Sequence, residues 1–490
     1  MTVVKSPLDA KNPHANRSEQ PWSNPQQIAL LRRSVKGQVL SDSDGDFETV
    51  AAAVWNQLGP VNRRPDLIVR PADQGDVVAA VQFARANGLR IAVRGGGHNW
   101  ANPSLRCGGL LIDLANLNQV VSIDPTARTA VVEPFISNRE IQALLNPLGL
   151  AFPSGHCPTV KLSGYLLSGG MAWNQGVWGP GVGSVEAIEL VTAQGELITA
   201  DPTRNAEYYW AARGAGPGFF GVATRYRLRL HPLPQAIACS SFYYPVGDAV
   251  VLAQWLETLA PTLPPNIELS LFLVSAPPAL AGKCGPRDAG KACLVAATIF
   301  ADDQEEAATA LAPLESCPIL DRCLAKTVAE PSNFEALFDA SGALWPDGQR
   351  CHVEAMFSDA RLPDIFAAVQ DHFLDAPSPT SLIMFAIFTG GKSAMPPPDA
   401  AFSMNARYYG GPWTMWTKAA DDAANDQWQR QCLNLLRPFV AGHYVSESDT
   451  VSYPEHVRES YSERSWERLN ALRQSCDPDG VFFGYFDGLG

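Results

Sequence analysis

At 490 residues the chain exceeds what a single hydrophobic core usually serves, so two substructures are expected. With 46% hydrophobic and 18% charged residues it has the composition of an ordinary globular protein. A net charge of −13 excludes a nucleic-acid or anionic-membrane partner, since either needs a basic face, and no apolar run is long enough to span a bilayer.

The opening residues, polar and proline-containing, show no cationic-then-apolar leader pattern. Residues 1–30 are read as a poorly ordered arm and the expected location is the cytoplasm. Val77, Val78, Val81 and Ala84 recur at helical spacing, with Gly88 as a stop. Then comes LRIAVRGGGHN, in which Leu89, Ile91 and Val93 alternate as in a half-buried strand. Gly95, Gly96 and Gly97 follow, a run whose bare backbone can approach a pyrophosphate closely, and His98 closes the turn. Ser137 with Glu140 forms a capping box before Ile141, Leu144 and Leu145, and Gly149 ends that helix.

The segment PSGHCPTVKLSGYLLSGG, residues 153–170, sets Cys157 directly before a proline at a helix or turn entrance. Amides around Pro158 and Thr159, and the neighbouring His156, are expected to lower its thiol pKa. Within residues 178–199, Gln194-Gly195 reads as a turn. Gly214, Gly216 and Gly218 are not a Rossmann fingerprint, because that loop must open a helix. Here a strand follows, with Thr224, Tyr226, Leu228 and Leu230 alternating with arginines. From residue 236 to about 440 strand-like runs (268–275, 292–300, 352–357, 382–388, 402–416) mix with helical stretches such as 303–314, the pattern of an antiparallel sheet with helices on one side. The ten cysteines contain no C-x-x-C pair and the chain no H-E-x-x-H, so reduced thiols and no metal are expected.

The two motifs, in this order, resemble the berberine-bridge-enzyme-like branch of the FAD-linked oxidases, flavoproteins with an FAD-binding domain of the PCMH type. Arg64-Pro65-Asp66, Arg213–Pro234 and Trp466–Phe482 resemble further segments of that family, so the likeness covers roughly residues 60–235 and 440–485. It implies an α+β fold: a two-part FAD-binding domain (31–235 and 441–490) around an antiparallel-sheet substrate domain (236–440). It also implies FAD bound by Arg94, Gly95, Gly96, Gly97, His98, Asn99, Gly155, Cys157, Thr159, Val160, Ser163, Gly164, Asn174, Gly216, Gly221 and Val222. The flavin would be attached through His98 at its dimethylbenzene methyl and through Cys157 at ring carbon six, the alternative being a single histidyl bond.

The implied chemistry is hydride transfer from an alcohol, sugar or amine carbon to flavin N5, with O2 as the final acceptor and H2O2 as product. A dehydrogenase using another acceptor, and a non-redox binding protein or cyclase, stand beside that reading. The base is sought among Tyr408, Tyr409, Tyr444, Glu447, Asp449, His352 and Glu354, with Tyr409 and Tyr444 chosen by location. Lys161, Gly183 and Ser446 depart from the family pattern, and a lysine near the flavin would favour its anionic reduced form. The partners expected are a small-molecule substrate and O2; the oligomeric state stays open.

Overall fold

The computed structural model describes residues 22–59, 62–393 and 395–489. The expected arm divides at this boundary. Residues 1–21 lie outside the described residues, but 25–30 are not an arm: Pro25–Ser34 is a helix with Ile28 and Leu31 buried. Its start is legible, since Asn24 accepts from the Gln27 amide at 3.2 Å and Pro25 fills the first position, where no amide hydrogen is needed.

A four-stranded sheet, in the order Gln38–Leu40, Leu67–Arg70, Leu110–Asp113, Ile91–Arg94, carries the glycine loop on its last strand. The helix Gln74–Ala86 makes the crossover from Leu67–Arg70 to Ile91–Arg94, and its buried Val77, Ala80, Val81 and Ala84 face the sheet core. The C-terminal segment completes the edge: the Ile91 amide donates to Val481 O at 2.7 Å and the Phe483 amide to Ile91 O at 3.0 Å. A five-stranded antiparallel sheet follows, ordered Val120–Asp124, Thr129–Val132, Gly221–Arg229, Val185–Thr192, Leu197–Ala200. Its 185–200 hairpin turns at Gly195, whose φ of +78° favours glycine. The Ser137–Glu140 capping box opens the helix Asn138–Leu145.

Nine antiparallel strands form the large sheet. Its central order is Ala236–Tyr244, Lys291–Ala301, Ile267–Ser275, Leu382–Ile387, Tyr408–Trp416. The helices Ala249–Leu259, Leu362–Leu374 and Asp422–Leu436 cover one face and share a core with Leu269, Leu271, Leu273 and Tyr408. The alternate residues Glu268, Ser270, Phe272 and Tyr409 point the other way, as the period of two requires. Three expectations shift in detail. The strand expected over 402–416 begins only at Tyr408. The one over 352–357 breaks at Glu354-Ala355 into Arg350–Val353 and Met356–Ser358. Gly442–His443 still pairs with Met356–Phe357, so the chain leaves this sheet after His443 rather than at 440.

Side chains join the two parts. Arg213 clamps Asp399 with two bonds of 2.9 Å, and Asn56 bonds both the amide and the carbonyl of Cys351. No helix of the described residues is long and apolar enough to cross a membrane.

Candidate active site

The uncovered face of the large sheet and the loops of the first two sheets line one cavity of about 710 Å³, within the range of small-molecule sites. Strand Ile91–Arg94 ends at its wall, and the three glycines that follow pack bare backbone against the second loop. A Cβ on Gly95 would stand 1.7 Å from Ser163 Oγ, and one on Gly96 would stand 2.6 Å from Lys161 Cγ. Gly97, at φ +66°, turns the chain so that His98 meets that loop. His98 Nε2 lies 2.9 Å from Thr159 Oγ1, and Cys157 Sγ lies 3.8 Å from the same hydroxyl. One threonine therefore joins the two nucleophiles.

Of the sixteen residues expected to hold FAD, Arg94 through Asn99, Gly155, Cys157, Val160, Ser163, Gly164, Gly216 and Gly221 line this cavity. Three stand off it. Thr159 reaches it only through His98 and Cys157. Asn174 is one layer out, its amide donating to Glu268 Oε1 at 2.5 Å. Val222 lies on the opposite face from Gly221 and Ala223 and is fully buried in the core of the first sheet, which corrects its assignment. Arg94 contributes no free charge, because its guanidinium bonds Val50 O, Ala51 O and Asp113 Oδ2.

Local electrostatics differ from the sequence expectation in one respect. Burial pushes the Cys157 thiol up rather than down; the Thr159 and Val160 amides lower it by less. His156 gives Cys157 no help, since it is paired with Glu268 Oε2 at 3.0 Å and packs on Trp173 with ring centroids 4.0 Å apart. Burial lowers His98 to about 4, which keeps its imidazole neutral and nucleophilic near neutral pH. Lys161 lines the cavity with its ammonium paired to Glu140 Oε2 at 3.2 Å, and its charge adds to the lowering of His98.

Among the base candidates the structure brings Tyr409, Tyr444 and Glu447 to the cavity. Tyr409 donates to Glu447 Oε2, and Tyr444 stacks edge-on against Tyr409 at 5.9 Å while accepting the Gly170 amide at 3.0 Å. Burial raises Tyr409 well above the usual phenol range and lifts Glu447 above the usual carboxylate range. The others point elsewhere. Tyr408 bonds Glu257 under the helices, His352 faces Asp426, and the Asp449 amide donates to Glu354. Glu354 lies behind the strand against His443 and His456, at 2.7 and 3.1 Å. Those two imidazoles stack 3.7 Å apart and 15° from parallel, and with a Glu354 oxygen their ring nitrogens lie within 4.8 Å of one another, a grouping that could hold a metal ion.

Sequence reasoning missed the substrate-side wall, notably Glu268, Phe272, Trp173, Trp345 and Trp413. Only the alternation of ELSLFLVS hinted that Glu268 and Phe272 leave the core. It also missed Trp55, which stacks on His98 at 5.6 Å.

The cavity fits FAD on its own geometry. The glycine loop presents its backbone to the cavity while its bare Cα positions pack on Ser163, Lys161 and Ala53, and three buried polar atoms of cavity-lining residues, Ser163 Oγ, Asn138 Oδ1 and Trp173 Nε1, have no partner among the described residues. Comparison with known proteins agrees. A family model described as an FAD binding domain matches residues 65–201. The FAD-linked oxidoreductase janO of Penicillium janthinellum is 26% identical over 442 residues, covering 90% of this chain and 94% of that protein. The (R)-6-hydroxynicotine oxidase of Paenarthrobacter nicotinovorans is 34% identical over 202 residues, 41% of this chain and 43% of that one. Crystal structures share the fold. One is 6-hydroxy-D-nicotine oxidase of Arthrobacter nicotinovorans, at TM-score 0.78, 23% identity and 92% and 98% coverage of the two chains. Another is BBE-like 1 of Physcomitrella patens, at TM-score 0.78, 19% identity and 95% and 99% coverage. The glycine loop, the antiparallel sheet and these relatives agree: the chain carries an FAD binding domain, shares the fold of BBE-like 1, and is an FAD-dependent oxidoreductase similar over nine-tenths of its length to FAD-linked oxidoreductases.

Proposed function

We propose that this enzyme is an oxidase of alcohol, sugar or amine carbons whose FAD is tethered to both His98 and Cys157 and reoxidised by O2. The observation that carries the reading is the meeting of the two nucleophiles at Thr159 on the cavity wall, with the Tyr409–Glu447 pair in the same cavity. Bound FAD supplies the two-electron oxidant that accepts the substrate's hydride. The protein's own part is the proton. Tyr409 takes the hydroxyl or amine proton as the carbon is oxidised and passes its own to Glu447, whose raised proton affinity suits it as the acceptor. The product is the carbonyl compound or imine. Tyr444, fixed by the Gly170 amide, holds the Tyr409 ring in place.

The choice of acceptor is fine-grained within this fold. A pollen protein of similar structure, Phl p 4, is a glucose dehydrogenase, and an isoleucine-to-valine variant of it is a glucose oxidase. Two measurements test the proposal. After acid precipitation the wild type, His98→Ala and Cys157→Ala are each expected to stay yellow, while the double variant loses its flavin. Loss from His98→Ala alone would make the tether monocovalent. Reduced enzyme mixed with air is expected to reoxidise within a turnover, with one H2O2 per product. Reduced flavin that persists in air would favour the dehydrogenase reading.

A further inference from the structure

The register of the large sheet rules its cavity face into three rows. Cys239, Thr298 and Glu268 stand opposite one another across three strands and form a polar row ending in a carboxylate. Two residues further along each strand lies a row of small side chains: Ser241, Ala296, Ser270 and Ala386, which leads to Tyr409 on the fifth strand. The third row, Tyr243, Leu294, Phe272 and Met384, is bulky. All three rows line the cavity. The small row is thus a trough with an apolar bank on one side and a polar bank on the other. It crosses four interstrand gaps, on the order of 19 Å at ~4.8 Å each, and neighbouring rows lie ~6.8 Å apart. That is longer than one ring requires, and its flat floor suits a fused-ring system.

A second observation marks this face as a ligand seat. Trp173, 7% exposed, lines the cavity beside the His156–Glu268 pair, and its buried Nε1 has no acceptor among the described residues. Charge narrows the ligand further. The Arg and Lys residues lining the cavity are tied elsewhere: Arg94 to Val50 O, Ala51 O and Asp113, Arg106 to Pro103 O and Asp487 O, and Lys161 to Glu140. His156 is held by Glu268. Among the described residues, a substrate carboxylate or phosphate would find no Arg or Lys on this wall that is not already bonded, and two carboxyl groups, Glu268 and Glu447.

Resting on the oxidase reading above, we propose that the trough seats a flat, multi-ring alcohol or amine, neutral or cationic, lying along the small row with its oxidisable carbon at Tyr409. The holoenzyme tests this with 2-(hydroxymethyl)anthracene, 2-(aminomethyl)anthracene and 2-anthracenecarboxylate, followed by anthracene fluorescence, and with benzyl alcohol by competition. The three-ring alcohol and amine are expected to bind at least tenfold more tightly than benzyl alcohol, and the carboxylate at least tenfold more weakly than the three-ring alcohol. Ala296→Phe, which fills the trough, is expected to cut the three-ring over one-ring preference at least tenfold; Ala386→Leu serves the same purpose if that variant does not fold. Equal binding of one and three rings, tight binding of the carboxylate, or an undiminished preference in the filled variant would overturn the proposal. Binding is read in the absence of O2 on holoenzyme reduced beforehand with dithionite, which cannot accept a hydride, so a failure of tethering or of O2 reactivity shows separately in the acid-precipitation and reoxidation measurements.

Discussion

Gly95→Ala is the sharpest perturbation of the cradle. The added Cβ would stand 1.7 Å from Ser163 Oγ and 2.9 Å from Ser163 Cβ. Rotating the serine removes the first clash but not the second, and Ser163 has little room to retreat. It is 3% exposed at the start of the helix Leu162–Ser168, and its amide is bonded to Pro134 O at 2.9 Å. The two loops must therefore part, an overpacking that costs about 1–3 kcal/mol. The same movement shifts His98, three residues on, and a displacement on the order of 1 Å lowers the rate of a positioned reaction about 100-fold. Urea unfolding gives the stability change, and the growth of acid-stable flavin absorbance in apoenzyme mixed with FAD gives the rate. Ser163→Gly removes both offending atoms, so in the Gly95→Ala background it is expected to recover most of the stability, whereas Ser163→Ala, which keeps the Cβ, recovers only part. If Gly95→Ala unfolds like wild type, or if Ser163→Gly fails to rescue it better than Ser163→Ala, the loops do not interlock as described.

Three further outcomes follow from the electrostatics. Glu447 must be deprotonated to accept a proton and its affinity is raised, so kcat/KM is expected to fall on the acid side at a pH above the ordinary carboxylate range. Glu447→Gln should lower kcat at least about 100-fold and abolish that limb; a pH profile unchanged in the variant assigns the limb elsewhere. Because burial raises the Cys157 thiol, attachment of FAD in His98→Ala apoenzyme should accelerate as pH rises from 7 to 9, and a flat profile would contradict a thiolate nucleophile. Burial alone would raise Glu354, but its bonds to His443 and His456 outweigh that and hold it at about 2. Its stabilisation is therefore complete above the unfolded value of 4.5 and lost as pH falls from there toward 2. Glu354→Gln should destabilise by about 3–5 kcal/mol at pH 7 and flatten the acid side of the stability curve, as read by denaturant midpoints across pH. A variant as stable as wild type would show the cluster to be uncharged.

The sequence by itself determined the local elements and the two loops that meet on the cavity wall. RGGGH and GHCPTV are contiguous, and a bare-backbone turn followed by a nucleophile is a property of neighbours along the chain. The capping box at Ser137 and the alternation of residues 224–230 are likewise local, and both stand in the structure as read. Even the helix Pro25–Ser34 was written in its Asn-Pro start, though an overall polar composition concealed it.

Tertiary structure alone decided what crosses strands and domains. No spacing in the chain brings Thr159 between His98 and Cys157, or Tyr409 onto Glu447, 38 residues away. The thiol's direction of shift also depended on the fold, since amides and an adjacent histidine are visible in sequence while burial and the capture of His156 by Glu268 are not. Tyr408 and Tyr409 are adjacent in the sequence; the pleat sends one under the helices and the other into the cavity. The three rows exist only in the register, because a one-residue slip of any strand would turn its whole set of side chains to the opposite face.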